Sequence, residues 1–409
     1  MNVHKDAFEH WTARDSADLY GIKDWGAGYF DINDKGELVV TAFGPKGPAV
    51  SLMEIVNGIQ ERGMDMPVLL RLRNILDTQI RLLHASFRKA IQQTNYTGQY
   101  RGVYPIKVNQ QQQVIEEVAR FGREFHHGFE AGSKAELIAA IGNMTDPDAC
   151  LVCNGYKDEE FIDLGLYATK LGIKCILVVE MPGEVPVIVE RSKALGIRPN
   201  IGLRMKLSTR AGGQWTDSGG DRSVFGLNTA ELITIVDQIR DAGMLDCLKL
   251  LHYHIGSQIP NIRDIRAGVI EACRVYCGLV EEGAPMGYLD LGGGLAVDYD
   301  GSHTNYHASK NYTLDEYCVD IIEAVAETLN VKNIPHPNII TESGRATVAY
   351  YSVLLFNILD VTCFEPPKIS PKVPEDANEM TKDLMNILGT ITTKNLQECY
   401  HDAIYYRDE

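Results

Sequence analysis

The middle of the chain contains GVYPIKV (Gly102–Val108), HHGFEA (His126–Ala131), ACLVCN (Ala149–Asn154) and KCILVVE (Lys174–Glu180). Each is a short run rich in apolar, β-branched or aromatic residues, and longer segments with helical spacing separate them. The first two of these segments are Gln111–Phe121 and Lys134–Ile141. Apolar strands that alternate with helices indicate a parallel sheet covered on both faces.

The same alternation continues toward the C-terminus. Four further runs of this kind are Asn200–Leu207, Leu248–Gly256, Tyr288–Gly292 and Asn338–Gly344. Eight strand–helix units over about 240 residues match a (β/α)8 TIM-like barrel in number and size. An open doubly wound sheet has the same alternation and is the alternative. The chain has no P-loop pattern, which weakens a nucleotide-hydrolysing function.

The segments before the barrel predict a small β region and a helix. Tyr29–Ala42 alternates around the turn Asn33-Asp34-Lys35-Gly36, which predicts a β-hairpin. The short apolar run Val68–Leu72 leads into a segment with one apolar helical face. The residues on that face are Ile75, Leu76, Ile80, Leu83, Phe87 and Ile91.

The end of the chain has a different character. Glu365–Asn378 carries Pro366, Pro367, Pro371 and Pro374, which predicts a linker or an extended segment. Helical spacing returns from Glu379 onward. We therefore predict three regions: residues 1–66 with the hairpin, a barrel over residues 67–360, and a linker with a short helical segment over residues 361–409.

Composition limits the class of protein. The 409 residues are 45% hydrophobic and 23% charged, which is typical of a globular protein. With 39 Lys and Arg against 55 Asp and Glu, the formal net charge is −16. This charge disfavours broad contact with nucleic acid or an anionic membrane.

The N-terminal residues and the cysteines indicate in which cellular compartment the protein lies. Charged residues interrupt the first 20 positions, and no run of 18 apolar residues occurs, so we predict a cytoplasmic protein without a signal peptide or membrane span. The nine cysteines are odd in number and scattered, unlike a secreted disulfide scaffold. Cys150 and Cys153 would face opposite sides of a strand, which favours core cysteines over a metal site.

Polar residues lie near the C-terminal ends of the predicted strands, where barrels of this type place their active sites. They are Lys107, Glu130, Asn154, Glu180, Arg204, His254, the run Gly292-Gly293-Gly294, Glu342 and Arg345. This placement favours both the barrel and an enzyme.

Lys107 follows the first barrel strand among apolar neighbours. Partial desolvation there would favour the neutral amine that Schiff-base chemistry needs. The alternative is a lysine that extends from the strand end to the surface.

The loops after strands seven and eight predict a phosphate site. Gly292, Gly293 and Gly294 allow backbone N–H groups to approach a phosphate closely, and Arg345 adds a charged fork. Barrels commonly bind phosphate in these two loops. The alternative is a set of tight-turn glycines beside a surface arginine.

His252 and His254 share one face of a strand, but no acid or cysteine completes a metal site nearby in sequence. We favour His254 as a packed imidazole against a flat ligand, with His252 in the core layer. A reactive lysine, a phosphate site, a ring-facing histidine and the Glu342 carboxylate together suit pyridoxal phosphate, whose pyridine nitrogen must keep its proton.

Several segments resemble the arginine decarboxylases of the alanine-racemase-like class, which also contains ornithine and diaminopimelate decarboxylases. The matching segments are Val103–Gln110, Gly128–Glu136, Val152–Asp158, His254–Gln258, Asn261–Asp264, Leu289–Tyr299 and Thr341–Ala346. They agree in order over most of residues 67–360.

The resemblance implies a role for each matching residue. Lys107 and His254 would be catalytic, with Lys107 bonded to the cofactor and His254 stacked on its ring. The implied cofactor-binding residues are Lys107, Glu130, Arg204, His254, Ser257, Gly292, Gly293, Gly294, Glu342, Gly344 and Arg345. The implied substrate-bordering residues are Leu289, Asp290, Leu291, Gly292, Gly293, Gly294, Leu295, Ala296, Val297, Asp298 and Tyr299.

The implied reaction is the conversion of L-arginine to agmatine and carbon dioxide in polyamine synthesis. The implied assembly is a homodimer or higher homo-oligomer with shared active sites. The resemblance also implies Mg²⁺, for which the residues offer no support. The family has a C-terminal β domain that supplies a catalytic cysteine, and its motifs are missing here. We therefore expect an incomplete chain that turns over arginine poorly.

Two other functions stay open. One is a sister decarboxylase of ornithine, lysine or diaminopimelate, because the residues that would settle substrate choice lie largely in the missing domain. The other is a non-catalytic homologue that regulates an active relative. Retention of Lys107, Glu342 and Arg345 argues against the regulator.

Overall fold

A computed structural model describes residues 11–41, 47–209, 223–362 and 372–409. Within these ranges the strands are β1 (Phe30–Ile32), β2 (Leu38–Val40), β3 (Val50–Ser51), β4 (Val68–Arg71), β5 (Tyr100–Pro105), β6 (Gly128–Ala131), β7 (Cys150–Cys153), β8 (Lys174–Val179), β9 (Asn200–Met205), β10 (Leu248–Tyr253), β11 (Tyr288–Asp290), β12 (Asn338–Thr341) and β13 (Ser352–Leu355).

The α-helices of the same ranges are α1 (Ala13–Leu19), α2 (Ile22–Trp25), α3 (Leu52–Gln60), α4 (Arg73–Gln93), α5 (Gln112–Gly122), α6 (Lys134–Asn143), α7 (Glu159–Lys170), α8 (Glu184–Leu195), α9 (Thr229–Asp241), α10 (Ile262–Glu281), α11 (Leu314–Asn330), α12 (Gly344–Val348), α13 (Glu379–Thr390) and α14 (Leu396–Asp408).

Strands β5 to β12 form a closed parallel barrel in which neighbours in space are neighbours in sequence. Closure comes from β12 and β5, where Ile339 pairs with Tyr100 and Thr341 pairs with Gly102. This confirms the predicted (β/α)8 barrel and excludes the open sheet. The predicted strands are correct in number and place, but seven of them run one to three residues too far at the C-terminal end. Lys107, for example, lies in a 3₁₀ turn (Ile106–Val108) that follows β5.

Side chains of the barrel strands alternate between two apolar layers. The inner layer consists of Val103, Cys150, Val152, Ile176, Val178, Leu250 and Ile340. The outer layer, which includes Leu151 and Cys153, belongs to the larger core that the surrounding helices complete. Cys150 and Cys153 therefore face opposite sides of the sheet, as predicted, and both are buried core residues.

Two helices begin where the local sequence alone specifies a helix start. Asn228 caps the N-terminus of α9 and Thr313 caps that of α11, and each forms a capping box with a glutamate three residues later. Such boxes satisfy the free N–H groups of a first helical turn.

Two small sheets flank the barrel. β1 and β2 form the predicted hairpin, with Phe30 opposite Val40, and β3 adds a third strand that was not predicted. Ala42, at the predicted end of the hairpin, lies outside the described residues. β4 pairs antiparallel with β13, so that Leu70 lies opposite Val353.

The chain divides into two compact units, Met1–Phe356 and Asn357–Glu409. The described part of the second unit contains α13 and α14, which agrees with the predicted helical spacing. Pro366, Pro367 and Pro371 of the predicted linker lie outside the described residues. No helix in the described ranges has the length and apolar character needed to cross a membrane.

Candidate active site

A cavity of about 770 Å³ opens at the C-terminal end of the barrel strands. Five predicted site residues line it: Lys107, Glu130, Arg204, His254 and Glu342. They come from different strands, so barrel closure brings them together. Asn154 and Glu180 also line the cavity. The sequence placed both at strand ends, but it assigned them no role.

Lys107 and Glu130 form an ion pair in this cavity. Lys107 Nζ donates to Glu130 Oε2 at 2.7 Å; the lysine side chain is 53% exposed and the glutamate is fully buried. Burial alone would lower the pKa of Lys107, but the Glu130 and Glu342 carboxylates outweigh it and raise the pKa to about 12. The expectation of a neutral amine is therefore wrong for this structure, because Glu130 stabilises the ammonium form.

Glu342 follows β12 and is buried beside other acids. Asn154 Nδ2 donates to Glu342 Oε1 at 2.6 Å. Burial, with the like charges of Asp290 and Glu130, raises the pKa of Glu342 to about 8. A carboxyl group with such a pKa can hold or release a proton near neutral pH.

Arg204 and Glu180, which also line the cavity, form a second ion pair. Arg204 Nη1 donates to Glu180 Oε2 at 3.0 Å, and the Gly155 N–H donates to Glu180 Oε1 at 2.8 Å. Burial opposes the charged form of Glu180, but Arg204 and Lys157 outweigh it and lower its pKa. Lys157 is itself buried against Glu184. The loop after β7 is therefore fixed by alternating charges.

The glycine run after β11 has a backbone that side chains would disrupt. Gly292 has φ +62° and Gly294 has φ +123°. A Cβ on Gly292 would lie 2.4 Å from the Tyr253 carbonyl oxygen. The Gly293 N–H points toward His254 Nδ1 at 3.5 Å, so this loop borders the histidine predicted to contact the ring.

Arg345 and Ser257 meet beside that loop. Arg345 Nη2 donates to Ser257 Oγ at 3.1 Å, and Arg345 Nη1 donates to the Tyr299 hydroxyl at 3.2 Å. Gly344 begins α12, and a Cβ there would lie 2.6 Å from Pro105 Cγ. The structure thus brings together the hydroxyl, the guanidinium and the glycine turns predicted for phosphate.

The two histidines of β10 and its exit differ in their surroundings. Burial, with the positive charges of Arg204 and His252, lowers the pKa of His254 to about 3. His252 Nδ1 lies 3.1 Å from Asp290 Oδ2 and 3.8 Å from Glu342 Oε1. His252 is buried, as predicted, but two carboxylates from later strands lie beside it, which the sequence did not indicate.

Most of the predicted substrate-bordering segment packs in the core. The buried residues outside the glycine run are Leu289, Asp290, Leu291, Leu295, Ala296, Val297 and Asp298. None of Leu289–Tyr299 is among the residues that line the large cavity. Leu295, Ala296 and Val297 instead line a separate cavity of about 190 Å³, beside Tyr29 and Lys310.

Two groups of described residues bring three possible metal donors together. In the exposed group, His126, Asp146 and Asp148, Lys174 already forms an ion pair with Asp148. In the buried group, His252, Asp290 and Glu342, N–H donors already occupy one oxygen of each carboxylate. We assign a metal to neither group, and Mg²⁺ stays a prediction from the resemblance.

The cavity fits a flat anionic cofactor that carries an aldehyde. Buried oxygens of Glu130 and Asn154, which line it, have no hydrogen-bond partner among the described residues. Lys107 offers an amine, Glu342 offers a carboxyl group of raised pKa, and the loops at Ser257 and Arg345 offer donors for a phosphate. These are the groups that pyridoxal phosphate requires.

Comparison with known proteins agrees with this geometry. The sequence model of the pyridoxal-dependent decarboxylases, pyridoxal binding domain, matches residues 78–349. The chain therefore belongs to the pyridoxal-dependent decarboxylase family. This membership confirms the predicted cofactor and the resemblance seen in the sequence segments. The model of the arginine decarboxylase helical bundle domain matches residues 374–409.

Two individual relatives of the chain are both biosynthetic arginine decarboxylases. The chain is 46% identical to the biosynthetic arginine decarboxylase of Thermosynechococcus vestitus, over 98% of this chain and 63% of the relative. The crystal structure of the biosynthetic arginine decarboxylase SpeA from Campylobacter jejuni is similar with a TM-score of 0.78 and 31% identity, over 95% of this chain and 63% of that one. The chain thus spans about three fifths of the length of these relatives.

Proposed function

We propose that this chain forms the cofactor-binding barrel of an enzyme that converts L-arginine to agmatine and carbon dioxide in polyamine biosynthesis. The observation that carries the proposal is the ion pair of Lys107 and Glu130, which faces Glu342 in one cavity. The helical-bundle match and the 46% identical relative favour arginine as the substrate.

The cofactor would be held from three sides. Lys107 would bond its aldehyde carbon, His254 would lie against its ring, and Glu342 would face its pyridine nitrogen. Ser257, Arg345 and the N–H groups of Gly293 and Gly294 would bind its phosphate. When bound, pyridoxal phosphate supplies an electron sink for the electron pair that remains on Cα as carbon dioxide leaves.

The protein's own groups would control protons and orientation. Glu130 holds the Lys107 ammonium at 2.7 Å, so it can take a proton from Nζ when the amine must react. Asn154 fixes one oxygen of Glu342 and leaves the other for the ring nitrogen. Arg204 stays paired with Glu180, which keeps this cation at a fixed place in the wall of the cavity.

The test is product analysis. The purified chain with added pyridoxal phosphate would be incubated separately with L-arginine, L-ornithine, L-lysine and diaminopimelate, and the amines identified by mass spectrometry. We expect agmatine from arginine and no product from the other three. Product from another substrate would make the chain a sister decarboxylase, and cofactor binding without any product would favour the regulatory homologue.

The assembly and the cellular location belong to the same proposal. We infer a cytoplasmic homodimer or higher homo-oligomer with shared active sites, as the family resemblance implies. Sedimentation of the purified chain measures its oligomeric state, and a monomer at micromolar concentration would contradict the inference.

A further inference from the structure

The buried pair of His252 and Asp290 lies directly behind Glu342. His252 is 1% exposed and Asp290 is fully buried. His252 Nδ1 and Asp290 Oδ2 lie 3.1 Å apart, which is ion-pair distance if His252 is protonated, and neither atom has an aligned hydrogen-bond partner among the described residues. The Gly292 N–H occupies the other oxygen of Asp290 at 2.9 Å. Asp290 therefore has one oxygen left for His252.

A carboxylate sealed in the core needs a positive partner, because an isolated buried charge is very costly. Among the described residues, His252 is the basic side chain that lies within ion-pair distance of Asp290. Burial would lower the pKa of His252, but Asp290 and Glu342 outweigh burial and raise it. The geometry therefore favours an imidazolium at His252.

Four neighbouring charged groups act on the proton affinity of Glu342. Asp290 from β11 and Glu130 from β6 oppose its ionised form, whereas His252 from β10 and Lys107 favour that form. Lys107 is already paired with Glu130 at 2.7 Å, which neutralises it locally. His252 Nδ1 lies within ion-pair distance of Glu342, 3.8 Å from Oε1, whereas Lys107 makes no such contact with Glu342 among the described residues. His252 is therefore the nearer basic group to Glu342.

We propose that His252, held as an imidazolium by Asp290, is a positioning residue that weakens the hold of Glu342 on its proton, so that this proton passes to the ring nitrogen of bound pyridoxal phosphate. One proton moves from a Glu342 oxygen to the nitrogen. Glu342 becomes a carboxylate, the ring becomes a cation, and His252 keeps its own proton. The inference rests on the proposed contact between Glu342 and the ring nitrogen, but its first tests need no cofactor.

The first test measures the proton affinity of Glu342 in the cofactor-free chain. Infrared difference titration follows the band of a protonated buried carboxyl group, and the loss of this band in Glu342→Gln assigns it. We expect His252→Gln to increase the proton affinity of Glu342 about tenfold or more, because an opposite charge is lost. His127→Gln, at the other end of the barrel, should leave the titration unchanged. An unaltered titration in folded His252→Gln would overturn the proposal.

The second test needs no change at His252, so it remains decisive if that variant does not fold. Nitrogen NMR of the histidine-labelled chain reports whether both ring nitrogens of His252 carry protons at neutral pH. We expect the imidazolium in the unmodified chain and a lower pKa of His252 in Asp290→Asn. A neutral His252 in the unmodified chain contradicts the proposal.

The third measurement separates this inference from the proposed reaction. Pyridoxal phosphate labelled with ¹⁵N in the ring reports protonation of that nitrogen in the loaded chain. We expect a protonated nitrogen in the unmodified chain and its loss in His252→Gln. If the titration and nitrogen data hold but no agmatine forms, the proposed reaction fails alone. If agmatine forms but the nitrogen is unaffected, the role of His252 fails alone.

Discussion

The two ends of the barrel bury histidine side chains in contrasting surroundings. At the carboxyl end, His252 lies between Asp290 and Glu342, and their charges outweigh burial and raise its pKa. At the amino end, His127 lies 3.0 Å from the ring of His84, and burial lowers its pKa to about 4.

Both histidines are at most 5% exposed, so depth of burial does not explain this difference. Phe125 stacks on His84 at 5.0 Å, and Tyr100 meets its edge, so aromatic rings surround the amino-end pair. The carboxyl end is surrounded by carboxylates instead. The nature of the neighbours therefore determines the direction in which the pKa of each buried histidine shifts.

The largest effect is expected for Lys107→Ala, at the carboxyl end of the barrel. Without the amine no covalent bond to pyridoxal phosphate can form, so the visible absorbance of the bound cofactor should be lost completely. Lys174→Ala at the amino end, where Lys174 pairs with exposed Asp148, is the matched control and should keep the spectrum. An unchanged spectrum in Lys107→Ala would remove Lys107 from the site.

Glu342→Gln should change how stability depends on pH. The folded-state pKa of about 8 lies above the ordinary 4.5, so between these values the folded chain binds more protons than the unfolded chain. Stability of the unmodified chain should therefore fall as pH rises through this window, by up to about 4 kcal/mol from this group. Urea unfolding of both proteins at pH 5 and pH 8 checks this. Equal pH slopes would contradict the raised pKa.

His127, at the amino end, should make stability depend on pH in the opposite direction, and His127→Gln should remove this contribution. The folded-state pKa of about 4 lies below the ordinary 6.5, so the unfolded chain binds more protons between them. The unmodified chain should lose up to about 3 kcal/mol from this group as pH falls from 6.5 to 4, and the variant should lose less. The comparison of the two ends fails if both slopes have the same sign.

The smallest effect is expected for an exposed ion pair. Lys174 and Asp148 are 41% and 57% exposed, so solvent screens their 2.6 Å contact. Lys174→Ala should change the free energy of unfolding by about 0–1 kcal/mol. Chemical denaturation at low and high salt measures this, and a loss of several kcal/mol would mean that the pair is coupled to the core.

The barrel could be predicted from the sequence because the features that specify each strand are local. Each strand is a continuous apolar run, and polar residues such as Lys107 and Glu342 mark the strand ends. Charge states were not predictable in this way. The ammonium form of Lys107 depends on Glu130, 23 positions away, and the setting of His252 depends on Asp290 and Glu342, which only the closed barrel brings near it.

The pairing of strands that lie far apart in the sequence was also not predictable. The run at Val68 was visible, but its partner β13 lies beyond the whole barrel, so the sequence could not pair them. The residues Leu289–Tyr299 matched a family segment, yet burial rather than sequence determines which of them reach a cavity.

Barrel closure also has a consequence for synthesis of the chain. The Gln99 N–H donates to Asn338, 239 positions later, where the first and last barrel strands meet. At about 5–20 residues per second, the ribosome needs roughly 12–48 s to make the intervening chain. During that time β5 has one edge without a partner, and such an edge can pair with other chains. The nascent protein therefore passes through a long interval in which a chaperone would protect it.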